Sequence, residues 1–287
     1  MKGQVFKVMA DQFDVYLENG EIHRLKARGI LKSKSDLGIS VGDYCQVEDG
    51  VITKILDRKN KLIRPNVANV DVVLIVTATF PEPDYFLIDK VIINAINNNV
   101  EVVIAVNKVD QGEKVFNDIK NQYAPLNVKI LKTSALTNFG IDDLKKELKG
   151  KTVVFAGQSA VGKTSIVNSI FNLNLKTGAL SEKIVRGKHT TTYSQIFIKD
   201  DIKVVDSPGF ASIDADLVSY EDLKDFYPEY VNLANDCRFR GCSHISEPDC
   251  AVKNAVNSGK LSQERYNRYK EIYNELKERR DKTYGKN

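Results

Sequence analysis

Three groups of residues in this chain have types and spacings suited to chemistry. The first is Gly157-Gln158-Ser159-Ala160-Val161-Gly162-Lys163-Thr164, followed by Ser165, which matches G-x-x-x-x-G-K-[ST]. Glycines at these positions let backbone N–H groups wrap a polyphosphate, and the helix that follows adds the positive end of its dipole. Lys163 is positioned by the motif to meet the β- and γ-phosphates, and the Thr164 hydroxyl to bind Mg²⁺. The second is Asn107-Lys108-Val109-Asp110, with Thr133-Ser134-Ala135-Leu136 one strand later. A carboxylate at Asp110 accepts from both N1–H and the 2-amino group of guanine. Adenine lacks both donors, so the pair selects guanine. Ser134 and Ala135 would back the base with N–H groups. The third is Cys237-x4-Cys242-x-His244-x5-Cys250, three thiols and one imidazole within fourteen residues.

Two further segments complete a phosphate site. Asp206-Ser207-Pro208-Gly209 closes a hydrophobic strand. Asp206 would hold Mg²⁺ through water, and the Gly209 N–H would meet the γ-phosphate. Between the P-loop and this segment lies Gly187-Lys188-His189-Thr190-Thr191-Thr192. One threonine, Thr191 or Thr192, is expected to close on Mg²⁺ only when GTP is bound. Lys163 and Thr164 are therefore the expected catalytic groups for GTP hydrolysis. The residue after Gly209 is Phe210, which cannot orient water as a glutamine there would, so slow intrinsic turnover is expected. His189 is the candidate to position water; a helper residue from a partner is the alternative. Ala160 stands where K⁺-activated GTPases have asparagine, so strict potassium dependence is not expected.

These motifs need elements to hold them. Residues 1–65 contain QVFKVM, FDVYLEN, EIHRLKARG, YCQVE and VITKIL, short runs separated by Asn19-Gly20, Gly42-Asp43 and Asp49-Gly50. Such strands and turns predict a small closed barrel of OB type, with an SH3-type barrel as the alternative. Residues 66–215 alternate apolar strands (DVVLIVTA, VEVVIAVN, VKILKTSA, KTVVFAG, IKVVDSPG) with helices (PDYFLIDKVIINAIN, IDDLKKELK, GKTSIVNSIFN). That pattern predicts an α/β P-loop GTPase domain around a parallel sheet. Residues 216–287 predict an α-helical zinc-binding module. The base-reading motifs precede the P-loop, the reverse of the usual order. Such a circular permutation preserves the site, because every motif still ends a strand at the sheet's carboxyl edge.

Composition sets the remaining bounds. The 42% hydrophobic and 28% charged fractions are those of a globular chain, and the longest apolar run, Val70 to Ala78, has strand length. A cytoplasmic, membrane-free monomer is expected. In that compartment clustered cysteines favour metal over disulfides, and Cys237, Cys242, His244 and Cys250 form the closed set of a structural zinc site; isolated buried or redox thiols are the alternative. Cys45 is expected as a buried small hydrophobe, and His23 as a surface residue. The net charge is only +4, yet residues 251–287 hold ten Lys or Arg against five acids. A polyanion partner suits that end, as does a solvated helix face.

Barrel, permuted motifs and Cys3His cluster together resemble the small-ribosomal-subunit-dependent GTPases of the RsgA (YjeQ) family. The residues that carry the resemblance are GQSAVGKTS (157–165), GKHTTT (187–192), DSPGF (206–210), CRFRGCSHISEPDCAV (237–252), NKVD (107–110) and LIRPNVANVDVVLIV (62–76). The resemblance implies binding to the 30S subunit and its 16S rRNA late in assembly, with GTP hydrolysis to GDP stimulated by the subunit. It also implies cofactor roles for GTP/GDP, Mg²⁺ and one structural Zn²⁺, with Asn107 and Asp110 reading guanine. Lys26, Arg28, Lys32 and Lys34 of the barrel, with ordinary solvated charges as the alternative, and Arg265, Arg268, Lys270, Arg279 and Arg280 of the terminal helix, are candidate RNA contacts. Tyr266, Tyr269 and Tyr273 fit base stacking or a core-facing stripe. Competing functions are a nucleotide-sensing RNA-binding protein with negligible turnover, and a metabolic enzyme driven by GTP, for which no second substrate site is evident.

Overall fold

A computed structural model describes residues 1–29, 38–63, 65–172, 195–206 and 218–284. Strands β1 (Lys2–Met9), β2 (Gln12–Leu17), β3 (Ile22–Ala27), β4 (Tyr44–Glu48) and β5 (Val51–Ile55) form the N-terminal barrel. Their order is β1-β2-β3-β5-β4, and β4 pairs back onto β1 to close it. Only β3–β5 is parallel. This closed five-stranded Greek key is the OB arrangement, which decides between the two barrels that strand periodicity allowed. Alternation sends Phe13, Val15 and Leu17 of β2 inward, where they meet Leu25, Val47 and Ile52. Cys45 is buried among them, and His23 is exposed beside Glu21.

A two-stranded ribbon, β6 (Lys61–Leu62) with β7 (Val67–Ala68), leads to the central sheet. That sheet comprises β8 (Val72–Ala78), β9 (Glu101–Asn107), β10 (Lys129–Lys132), β11 (Thr152–Ala156), β12 (Gln195–Lys199) and β13 (Ile202–Asp206). The order is β10-β9-β8-β11-β13-β12, all parallel except β12. Every residue of β8 is buried, as expected of a strand covered on both faces. Val73 and Ile75 point to one face, under α1 (Tyr85–Asn97) and α2 (Lys114–Tyr123); Val72, Leu74 and Val76 point to the other, under α3 (Ile141–Leu148) and α4 (Lys163–Phe171). Strand β12 and helix α2 go beyond the elements predicted from the sequence. β12 extends the fold in a second way. Its Gln195 pairs with Lys7 of β1, so barrel and central sheet form one hydrogen-bonded surface of eleven strands.

The C-terminal part comprises α5 (Pro228–Val231), α6 (Ala251–Asn257) and α7 (Gln263–Tyr284) around a tyrosine-rich core. Tyr227, Tyr230 and Tyr269 pack ring against ring with centroids 4.9 to 5.0 Å apart. Tyr266 and Tyr269 are buried, so of their two expected roles the core stripe is the one observed. Arg265 and Arg268 are corrected as RNA contacts. The Arg265 guanidinium is buried between Asp89 of α1 and Glu229 of α5, bonding Glu229 Oε1 at 2.6 Å, and Arg268 also reaches Asp89. Helix α7 thus spends these cations on holding the C-terminal part against the central domain. Arg265→Met leaves the buried Glu229 without its counter-ion and Asp89 with Arg268 alone, and is expected to cost about 3–5 kcal/mol. Urea unfolding followed by circular dichroism measures this; an unshifted midpoint would remove the network from the list of stabilising contacts.

Candidate functional site

The carboxyl edge of the central sheet gathers the motifs. Asn107 ends β9, Ser134 follows β10, Gly157 follows β11, and the backbone of Asp206 ends β13. β11 lies between β8 and β13, so the strand order turns outward in opposite directions beside the P-loop. This is the topological switch point at which open α/β sheets bind ligands.

Steric limits explain the two P-loop glycines. A Cβ on Gly157 (φ 125°) would lie 2.1 Å from the Val76 carbonyl oxygen of β8. One on Gly162 (φ 95°) would lie 2.3 Å from Asn107 Nδ2. Ala160 has φ 64° without being glycine, and it is exposed, so backbone conformation rather than space limits this position. Ala160→Val adds β-branching to a left-handed residue and is expected to cost about 1–2 kcal/mol. A nucleotide-free thermal melt tests it, and an unchanged melting temperature would show that the loop relaxes.

Side chains of the base-reading segment fasten this loop. Asn107 Nδ2 donates to Val161 O at 2.9 Å, while its Oδ1 accepts from Ala135 N at 3.1 Å. Lys108 Nζ donates to Ala160 O at 2.9 Å and to Phe80 O at 2.8 Å. The two halves of the site are therefore tied together by direct hydrogen bonds. Lys163 Nζ donates to the carbonyls of Gly157 and Gln158 at 2.6 and 2.7 Å, and burial lowers its pKa. Thr164 and Ser165 lie half-buried in the first turn of α4, and Ser159 is exposed in the loop. Asp110 is exposed on the turn Val109–Gln111. The buried Ser134 accepts from Thr137 N at 3.3 Å.

One organising contact has no motif to announce it. Gln158 Oε1 accepts from Asp84 N at 2.6 Å, and its Nε2 donates to Glu82 O at 2.8 Å. The P-loop thereby grips the segment entering α1, whose N-cap is Asp84. His189, Thr191, Thr192, Gly209 and Phe210, as well as Lys32 and Lys34, lie outside the described residues, as does the Asp206 side chain.

The Cys/His cluster is the second site. Its ligand atoms all lie within 4.8 Å of one another. His244 Nδ1 is 3.3 Å from Cys250 Sγ and 3.7 Å from Cys237 Sγ, and those two sulfurs are 4.0 Å apart. Tetrahedral zinc with its usual bond lengths places such atoms about 3.4–3.8 Å apart, so the cluster is compatible with zinc. Burial pushes the Cys242 and Cys250 thiols up, and a bound dication reverses that preference by stabilising thiolate. Four protein ligands leave no open position, which makes a structural role the fitting one. Glu247 shapes the ligand loop, accepting from the N–H groups of Ser243, Ile245 and Ser246. Tyr266 and Tyr269 donate to the carbonyls of His244 and Ser243 at 2.7 and 2.5 Å, joining the cluster to α7. Stripping the metal with a strong chelator is expected to unfold this module. Limited proteolysis would then cut within 218–284; full resistance after measured zinc release would contradict it.

The fold and the site together define a P-loop GTPase with circularly permuted motifs, flanked by an OB barrel and a Cys3His module. The family model described as RsgA GTPase matches residues 55–216. A small ribosomal subunit biogenesis GTPase RsgA of Agathobacter rectalis is 40% identical over 300 residues, covering 97% of this chain and 99% of its own. One of the same name from Alkaliphilus metalliredigens is 41% identical, covering 97% and 99%. Among solved structures, YjeQ from Thermotoga maritima superposes with TM-score 0.82 at 35% identity, over 96% of this chain and 98% of that one. YloQ, described as a circularly permuted GTPase, gives TM-score 0.79 at 29% identity, over 97% and 95%. The chain belongs to the RsgA GTPase family, and it is a GTP hydrolase. Among the described residues no helix is long and apolar enough to cross a membrane.

Proposed function

We propose that this protein binds the 30S ribosomal subunit late in its maturation and hydrolyses GTP there, with the subunit stimulating turnover. The observation that carries the nucleotide half is the convergence of Asn107, Lys108, Ala135 and the P-loop through direct hydrogen bonds at one sheet edge. The ribosomal half rests on relatives named for small-subunit biogenesis that match nearly end to end. In this reading residues 1–65 are an RNA-binding barrel, 66–215 the GTPase domain and 216–287 the zinc module. The barrel meets 16S rRNA through Lys26 and Arg28, both exposed. The protein works as a cytoplasmic monomer.

The site residues divide the work by chemistry. Asp110 reads the guanine edge, and Ser134 and Ala135 back the base by position, their own N–H groups being bonded to Phe139 O and Asn107 Oδ1. The loop from Gly157 to Ser165 surrounds the phosphates, and Lys163 neutralises charge that builds during phosphoryl transfer. Thr164, with Asp206 and Thr191 or Thr192, would hold Mg²⁺, which would neutralise phosphate charge. Gly209 senses the γ-phosphate by its N–H, and His189 positions water. GTP-bound closure of the two switch segments favours docking, and hydrolysis favours release.

Purified protein is expected to turn over GTP slowly alone and faster with 30S subunits. Affinity for 30S is expected to be higher with a non-hydrolysable GTP analogue than with GDP. Slow hydrolysis indifferent to 30S would preserve the nucleotide chemistry and remove the ribosomal assignment. No measurable hydrolysis under either condition would favour the nucleotide-sensing RNA-binding alternative.

A further inference from the structure

The loop between Cys237 and Cys242 carries an aromatic side chain that the nucleotide site does not use. Phe239 is 43% exposed. Its carbonyl accepts the Cys242 N–H at 3.3 Å, and Gly241 has φ 74°, so Phe239 to Cys242 is a tight turn with Arg240 at its second position. Both ends are pinned. Cys237 and Cys242 belong to the Cys3His cluster. Arg238 is fastened to Asp249 by its backbone N–H at 3.3 Å and its guanidinium at 2.8 Å. A ring held on so short a fixed loop loses little conformational entropy on binding.

The charges around the ring are uneven. The Arg238 guanidinium lies 5.5 Å from the ring centroid, and Asp249 answers its charge. Arg240 is exposed without an ion-pair partner among the described residues. Lys224 is likewise unpaired, and its ammonium lies 4.0 Å from where a Cβ on Gly241 would be. An exposed aromatic flanked by Arg238 and Arg240 is unlike the charge-depleted centre of a protein interface. It suits a nucleic-acid strand, whose base offers a π-face and whose phosphates offer negative charge.

We propose that Phe239 stacks on an unpaired RNA base while Arg240 and Lys224 meet the neighbouring phosphates. This rests on the ribosomal reading above and gives the zinc module an RNA-contacting tip. The chain contains no tryptophan, so Phe239→Trp places a single fluorescent reporter at the ring's position. With 30S subunits, this variant is expected to keep its affinity and to lose emission as the indole stacks on a base. Phe239→Ala is expected to bind 30S at least about fivefold more weakly, the lower bound for one lost stack, while retaining one zinc per chain. Arg240→Glu is expected to weaken binding and flatten its salt dependence.

Emission that stays constant or brightens in the 30S-bound tryptophan variant would overturn the proposal, brightening being the mark of a protein contact. Wild-type affinity in Phe239→Ala would overturn it equally. Should the alanine variant lose zinc, quenching in the tryptophan variant decides alone. A wild type that fails to bind 30S sinks the ribosomal reading and this one together. Binding without quenching sinks only this one.

Discussion

Lys163→Ala is expected to lower the rate of GTP hydrolysis by about 10³-fold or more. Removing one preorganised donor from a transition state typically costs about 10²–10³ in rate, and Lys163 supplies a full positive charge. Its ammonium sits in the P-loop, hydrogen-bonded to two main-chain carbonyls that also set the loop's shape. Half-burial already lowers its pKa, so it enters the reaction partly desolvated, where charge acts most strongly on developing negative charge. Alanine removes both the charge and the two bonds to the loop. Single-turnover hydrolysis separates chemistry from binding. A variant that binds GTP weakly but cleaves bound GTP at the wild-type rate would reduce Lys163 to an anchor. A melting temperature near wild type guards against simple misfolding.

Asp110→Asn is expected to lower GTP affinity by roughly 10²–10⁴, the equivalent of two hydrogen bonds to a charged acceptor at about 1.5–3 kcal/mol each. The same substitution is expected to raise affinity for xanthosine triphosphate. Xanthine carries a carbonyl where guanine carries its 2-amino group, and the asparagine amide donates where aspartate only accepted. This reciprocal gain is the informative part, since a damaged fold lowers affinity for both nucleotides. Asp110 is exposed on a short turn rather than packed in the core, so the substitution has little to disturb. Titration with fluorescent analogues of both nucleotides measures the exchange. Loss of GTP binding without any gain for the xanthine nucleotide would assign guanine recognition to another group.

Much of this protein was legible before its structure, for a physical reason. The P-loop, the base-reading segment and the Cys3His cluster each lie within fourteen residues or fewer, so chain geometry alone keeps their chemistry together. Apolar strands buried on both faces carry their own signature, which is why β8, β9 and β11 and the α/β class were readable. The permutation was readable too, because it is a statement about the order of motifs along the chain.

What the tertiary structure decided involves partners far apart in sequence. Alternation in strands predicts a barrel without its pairing, and only the return of β4 onto β1, with β3 parallel to β5, makes it an OB fold. The strand pairing of Lys7 with Gln195, which continues the barrel into the central sheet, is announced by no local pattern. Gln158 reads as a variable P-loop position until Glu82 and Asp84 are seen against it. Arg265 and Arg268 show the limit most clearly. On a polar helix their charges suggested an external polyanion, yet their partner Asp89 lies some 180 residues earlier. Spacing along a helix reveals which residues share a face; what that face meets is fixed only when distant elements pack.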